Sequence, residues 1–487
     1  MRRKVVVIGA GFGGLSAAAL LARQGNDVTV VEKNRAAGGR ASAWSKDGFT
    51  FDMGPSWYLM PDVFDRFFAE LGTSAERELE LSRLSPSYRV YFGPDDVVDV
   101  PSDLHEAYAL FESFEPGGAD KLKGYLDRAE YQYEVAMQQF VYREYKRLTD
   151  FFSWRLLLEG AKLNVFTNLD KYVSSTFESD KARKVLEYSM VFLGGAPDNT
   201  PALYSIMSHI DHKLGVWYPR GGLNAVAEAI QRLAEAQGAQ FVFDAPVNRI
   251  RVEDGAATGV ETEHGSYDAD LVVAAADYHH VETKLLEPRY RQYSSAYWDS
   301  RVVAPSAFIM YIGLNRKLPE LAHHTLFLQH DWMNHFNTIF KRPAWPERPS
   351  YYVCAPSKTD DTVAPDGMEN LFVLVPVAAG LDDTPEVRET LSAEILRDLE
   401  SQIGAPIRDA IVVYREFAHN DFAAEYNAFK GTALGLAHTL RQTAALRPRR
   451  KSGKVDDLYF TGQYVHPGVG VPMTLISSQI LAEELSS

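Results

Sequence analysis

The 487-residue sequence predicts an α/β protein: a Rossmann-type nucleotide-binding domain that the chain visits more than once, carrying a discontinuous α+β lobe and a helical subdomain. Three observations predict it. Residues 4–40 read as strand, glycine-rich turn, helix, strand and acid. Residues 457–485 read as strand, second glycine-rich loop and apolar helix. Between them, residues 238–274 return in short strands. A chain of this length exceeds one compact core and is expected to split into two or three lobes.

The first unit explains its own residue types. Val5-Val6-Val7-Ile8 is a β-branched run leading into Gly9-x-Gly11-x-x-Gly14 and an Ala/Leu-rich helical segment. Gly9 permits the tight turn, Gly11 lets a pyrophosphate approach the backbone, and Gly14 lets helix and sheet pack closely. The helix N-terminus offers free N–H groups and a partial positive charge to phosphates. The second run, Val28 to Val31, closes on Glu32, where a carboxylate suits both ribose hydroxyls of an adenosine. Strand, helix and acid all fall where dinucleotide binding requires them.

The basic start, Met1-Arg2-Arg3-Lys4, followed by an apolar run also looks like an export signal. Four glycines and Phe12 interrupt that run, and export leaves the second strand and its acid unexplained, so a cytoplasmic chain is expected. No apolar run reaches the roughly 18 residues of a membrane-spanning helix. The single cysteine, Cys354, excludes an internal disulfide framework and a cysteine-rich metal site. A formal net charge of -15 argues against nucleic acid as a partner, but leaves room for membrane contact through a local basic patch.

Further along, Ala36-Ala37-Gly38-Gly39-Arg40 is a turn that lets backbone approach a ligand, with Arg40 either on phosphate or in solvent. Residues 49–61, FTFDMGPSWYLMP, set a sharp turn inside an aromatic run, either a hairpin on the core or a loop laid against a flat ring. The strings GAGFGGLSAA, VVEKNRAAGGRASAW and FDMGPSWYLMP resemble the bacterial-type carotenoid (phytoene) desaturases, within the amine-oxidase-like flavoproteins, whose FAD domain is glutathione-reductase-like. The resemblance implies that Glu32 holds the FAD ribose, Gly39 and Arg40 line the pyrophosphate, the Gly54-Pro55-Ser56 segment approaches the flavin, and Val247 lies against the adenine. Ala10, Gly13 and Lys33 join the expected cofactor-binding set.

Residues 104–172 carry mostly helical spacing, and residues 125–166 interleave aromatics with Arg143, Lys146, Arg147, Arg155 and Lys162. Between Val141 and Lys171 six basic residues face four acidic ones, 6 − 4 = +2, opposed to the whole-chain balance. Beside them stand Phe151-Phe152, Trp154 and Leu156-Leu157-Leu158. Two readings stay open: an amphipathic surface for anionic lipid, or helical core with a solvated charged face. A bilayer-dwelling substrate would favour the first.

Residues 223–237 have helical periodicity, residues 238–243 read as a buried strand, and residues 248–253, 257–263 and 267–274 read as a three-stranded meander. The apolar runs 306–313 and 371–377 are strands that either wall a tunnel or form core. His209-x-x-His212, His279-His280 and His323-His324 sit in no metal-binding motif, and no metal is expected. No Gly-x-Ser-x-Gly elbow supports a hydrolase.

Near the end, residues 457–472 run from a strand through Gly462, Gln463 and HPGVGVP into an apolar helix, with Pro472 suited to its first turn. A second helix N-terminus there suits a reduced flavin. Two dinucleotide-type contacts at opposite ends of one chain favour the long FAD molecule over NAD. HPGxGxP again resembles the desaturase signature, which implies that Gly462, Gly470, Val471, Pro472, Met473 and Thr474, with Gln463 beside them, line the flavin. No second GxGxxG follows a strand, so direct feeding by NAD(P)H is not expected.

These readings define the expected molecule. Residues 1–85, 216–288 and 416–487 form the FAD domain; residues 86–215 and 289–415 form the substrate lobe, with 104–172 helical and the candidate for membrane contact. The resemblance implies desaturation of a long apolar isoprenoid by hydride transfer to FAD at the cytoplasmic membrane surface, with oxygen or a quinone as acceptor and no named catalytic side chain. Alternatives are an end-group oxygenase, saturase or isomerase of the same family, an amine oxidase, and a non-catalytic prenyl-binding relative. The amine oxidase is disfavoured because the terminal motif lacks the cysteine that some of that group attach to flavin.

Overall fold

A computed structural model describes residues 2–143 and 167–486. Its first sheet has five parallel strands, in spatial order Leu458–Phe460, Leu271–Ala274, Lys4–Ile8, Asp27–Val31 and Gln240–Val242. The chain therefore enters this sheet three times, from its beginning, middle and end. The strand Lys4–Ile8 is apolar throughout because both its faces are covered. Val5 and Val7 pack with Leu15, Leu223 and Leu475 of three helices, while Val6 and Ile8 pack with Ile250 and Val260 of an antiparallel meander. The helix Phe12–Arg23 lies between Gly222–Ala236 and the terminal helix Val471–Ser486.

Two expected elements differ. The strand Gln240–Val242 is not buried: it is the sheet edge, and Gln240 is exposed. The meander consists of Val247–Glu253, Ala256–Thr262 and Gly265–Asp268, and the run 267–274 is divided between two sheets. Leu271–Ala274 leaves the meander because four successive buried residues fit a central parallel strand, not a half-solvated one.

The second sheet has seven mixed strands in the order Ile411–Phe417, Ser306–Leu314, Glu369–Val377, Tyr351–Cys354, His324–Phe327, Tyr88–Gly93 and Asp96–Val100. The strand Ile411–Phe417 pairs along Ser306–Leu314, so this lobe extends past the expected boundary at 415. Phe308, Met310, Val373 and Val375 pack on the helix Pro385–Ile403, and Ile309, Tyr311 and Phe372 belong to the core on the opposite face. That second core includes residues of the helices Leu104–Phe114 and Gly118–Ala136. Most of the expected lipid-facing segment, including Phe151, Trp154, Arg155 and Lys162, lies outside the described residues. No helix among the described residues is long and apolar enough to cross a membrane.

Candidate cofactor and substrate site

A cavity of about 1030 Å³ opens at the carboxyl ends of the parallel strands and continues beneath the seven-stranded sheet. The first strand delivers its glycine turn there. A Cβ on Gly14 would stand 1.8 Å from the Gly9 carbonyl oxygen, so helix and turn touch through backbone alone. Gly13 likewise faces Gly462, to whose Cα an added Cβ would come within 3.3 Å. Ser478 of the terminal helix seals this junction, its hydroxyl donating to the Gly13 carbonyl at 3.0 Å. The two ends of the chain thus form one wall.

Glu32 closes the turn from the other side. Its Oε2 accepts from the Ala10 amide at 2.6 Å and its Oε1 from the Asn34 amide at 2.9 Å. Burial raises its pKa above the ordinary carboxylate value, and these amides pull it back. Each oxygen retains acceptor capacity for a ribose hydroxyl. Lys33, Gly39, Arg40, Gly54, Pro55, Ser56 and Val247 line the same cavity, as do Gly9, Gly11 and Gly13. From the far end come Gly462, Gln463, Gly470, Val471, Pro472, Met473 and Thr474. Ala10 and Gly14, expected with them, stand behind the wall: Ala10 holds Glu32 and Gly14 serves helix packing.

The residues present fit an extended dinucleotide. Backbone lines the wall where phosphate must approach, and the buried Arg40 Nε and Gln463 Nε2 have no hydrogen-bond partner among the described residues. Buried donors of this kind call for an acceptor.

Beyond Ser56 the wall turns apolar, and sequence reasoning named none of these residues as a site. Two cross-strand pairs, Ile309 with Leu374 and Ala307 with Pro376, form the floor. Met137, Phe140, Ile206, Met207 and Ile210 come from the helical layer. Period-two alternation was the available signal: residues 307 and 309 face the cavity, whereas 308 and 310 face the core. The runs expected as tunnel wall or core are both. The polar groups here are already engaged. Ser56 Oγ and Tyr352 Oη are 2.8 Å apart, Tyr204 Oη is 3.0 Å from His438 Nδ1, and Tyr133 Oη donates to Asp62.

Behind Ser56 and Tyr352, the described residues contain one set of three ligand-type side chains, His323, His324 and Cys354. Burial lowers the pKa of His323 to about 3 and pushes the Cys354 thiol up to about 12.

The geometry defines a flavin-binding class, and the chain belongs to it: the model of the flavin containing amine oxidoreductase family matches residues 12–486. The cofactor of this family is FAD, and the residues of the two glycine-lined ends are those that would hold it. Within that family, the chain is 49% identical over 484 residues to the carotenoid 3,4-desaturase of Haloarcula japonica, covering 99% of this chain and 97% of that one. It is 35% identical over 492 residues to the zeta-carotene-forming phytoene desaturase of Myxococcus xanthus, covering 99% and 94%. An oxidoreductase from Methanosarcina mazei shares the fold, with a TM-score of 0.64 and 19% identity over 99% of this chain and 100% of that one.

Proposed function

We propose that the protein is an FAD-dependent desaturase that introduces conjugated double bonds into a long isoprenoid of the carotenoid type. The observation that carries this reading is the continuity of one cavity from the glycine cradles into an apolar chamber. FAD, when bound, supplies the hydride acceptor. This chain's residues align and desolvate. The paired Ile309–Leu374 and Ala307–Pro376 rows give a smooth floor along which a polyene slides, and Met137, Phe140 and Met207 close it from above. Because Ser56 pairs with Tyr352 and Tyr204 with His438, these polar groups are not left unpaired toward the chamber's occupant. Desaturation at the 3,4 position, the reaction named for the Haloarcula relative, is the first to test.

The finer parts of the reading follow from the substrate. A bilayer-dwelling hydrocarbon must enter from lipid, so we infer a peripheral enzyme of the cytoplasmic membrane, attached through the base- and aromatic-rich stretch around residues 141–171. Oxygen or a membrane quinone re-oxidises the cofactor.

The test is incubation of the FAD-loaded protein with liposomes containing phytoene or more unsaturated carotenoids. Each added double bond moves absorption to longer wavelength. Anaerobic bleaching of the flavin without polyene product, or no bleaching at all, overturns the assignment.

A further inference from the structure

His323 and His324 are 5% and 0% exposed, and Cys354 is 2% exposed. The sheet brings them together: His324 and Cys354 are register partners on neighbouring antiparallel strands, and His323 precedes His324 at the strand's start. One ligand atom from each lies within 4.8 Å of the other two. The rings are half-satisfied in the same way. His323 Nδ1 is 2.8 Å from Thr359 Oγ1 and His324 Nδ1 is 2.6 Å from Tyr352 Oη, while Nε2 of both rings is buried without a partner among the described residues.

Two buried, unpartnered ring nitrogens lose their water without compensation unless something meets them. Metal-ligating histidines have this pattern: one nitrogen on the ion and the other hydrogen-bonded to an outer group that fixes ring and tautomer. With Nε2 as ligand, each Nδ1–H donates outward, to Thr359 and to Tyr352, and Tyr352 passes its own proton to Ser56 Oγ. Two imidazoles and one thiolate favour a borderline-soft ion of the zinc class over calcium or magnesium.

We propose that His323, His324 and Cys354 form a binding site for one zinc ion, which fixes the cofactor loop to the seven-stranded sheet. Tetrahedral bonds of about 2.0–2.3 Å place ligand atoms roughly 3.3–3.8 Å apart, so the three side chains close by about 1 Å on binding. Trp57, next to Ser56, stacks on His324 at 3.9 Å between ring centroids, so the ion is one side chain removed from the loop that lines the cavity. The three side chains supply three of the four tetrahedral positions and leave the fourth to a water, and the ion contacts no reacting atom.

The experiment uses the full chain with FAD bound, purified without metal-affinity resin or chelator, and needs no turnover, so its failure is separate from failure of the desaturase reading. Mass spectrometry of the metal content, normalised to flavin, is expected to give about one zinc per FAD, falling at least tenfold in the His323→Gln, Cys354→Ser double variant. Zinc-edge X-ray absorption of the unaltered protein, which does not depend on the variant folding, is expected to show one sulfur and two imidazole nitrogens. Protein that carries no zinc and takes up neither Zn²⁺ nor Co²⁺ on dialysis overturns the proposal. So does a sulfur-free coordination shell, or undiminished zinc in a folded double variant.

Discussion

The two halves of the cavity are built in opposite ways. The cofactor half is lined by backbone from three short motifs, and its shape depends on what is missing from Gly11, Gly13 and Gly462. The substrate half is lined by side chains from strands and helices far apart in the chain, such as Met137, Ile210, Ile309 and Leu374. Backbone cradles tolerate almost no added atom, whereas side-chain walls can be re-cut one position at a time. The first half should therefore fail completely when altered and the second should change preference.

The largest effect is expected at Gly14. A valine there drives its Cβ into the Gly9 carbonyl, and Gly14→Val should abolish flavin binding, read as loss of yellow absorbance in soluble protein. Glu32→Ala removes the acceptor for the Ala10 and Asn34 amides together with the carboxylate expected to take the ribose. Hydrogen bonds to charged groups are worth about 1.5–3 kcal/mol, so the FAD dissociation constant should rise about 10–100-fold, measured by flavin fluorescence titration. If Glu32→Ala bound FAD normally, the cradle would not need its acid.

In the other half, Leu374→Ala opens the floor without touching a glycine loop. It should leave FAD content unchanged and lower kcat/KM for a polyene by about tenfold, the loss of a buried apolar contact of about 1.5 kcal/mol. Parallel loss of FAD would erase the contrast between the halves.

The smallest effect concerns the helical layer. Burial raises the Glu187 pKa from its usual value to about 8. With the folded value above the unfolded one, its contribution to stability is complete below the unfolded pKa and is lost as pH rises through about 8. Between pH 6 and 9 the melting temperature of Glu187→Gln should fall less than that of the unaltered protein, by about 1 °C for each kcal/mol lost at a length of 487 residues.

The contrast between the halves also explains what could be read in advance. The motifs of the cofactor half were legible because each is local: the spacing of Gly9, Gly11 and Gly14 encodes a turn, and Glu32 follows at the tip of the next strand. Even there, local pattern misjudged the edge position of Gln240–Val242 and the division of residues 267–274, because strand neighbours are chosen by the sheet. The His323-His324 pair looked unremarkable for the same reason. Its meeting with Cys354, thirty residues on, is a matter of antiparallel register.

Sequence alone determined the nucleotide-binding unit, the cofactor's two cradles and the apolar character of the strands, since these depend on φ freedom, missing side chains and residue period over short stretches. Tertiary structure alone decided which faces of Ser306–Leu314 and Glu369–Val377 look into the chamber, where Ser56 and Tyr352 meet, and which histidines find a sulfur. Those outcomes rest on pairings between residues tens to hundreds of positions apart, and such pairings are selected by the packing of the whole molecule.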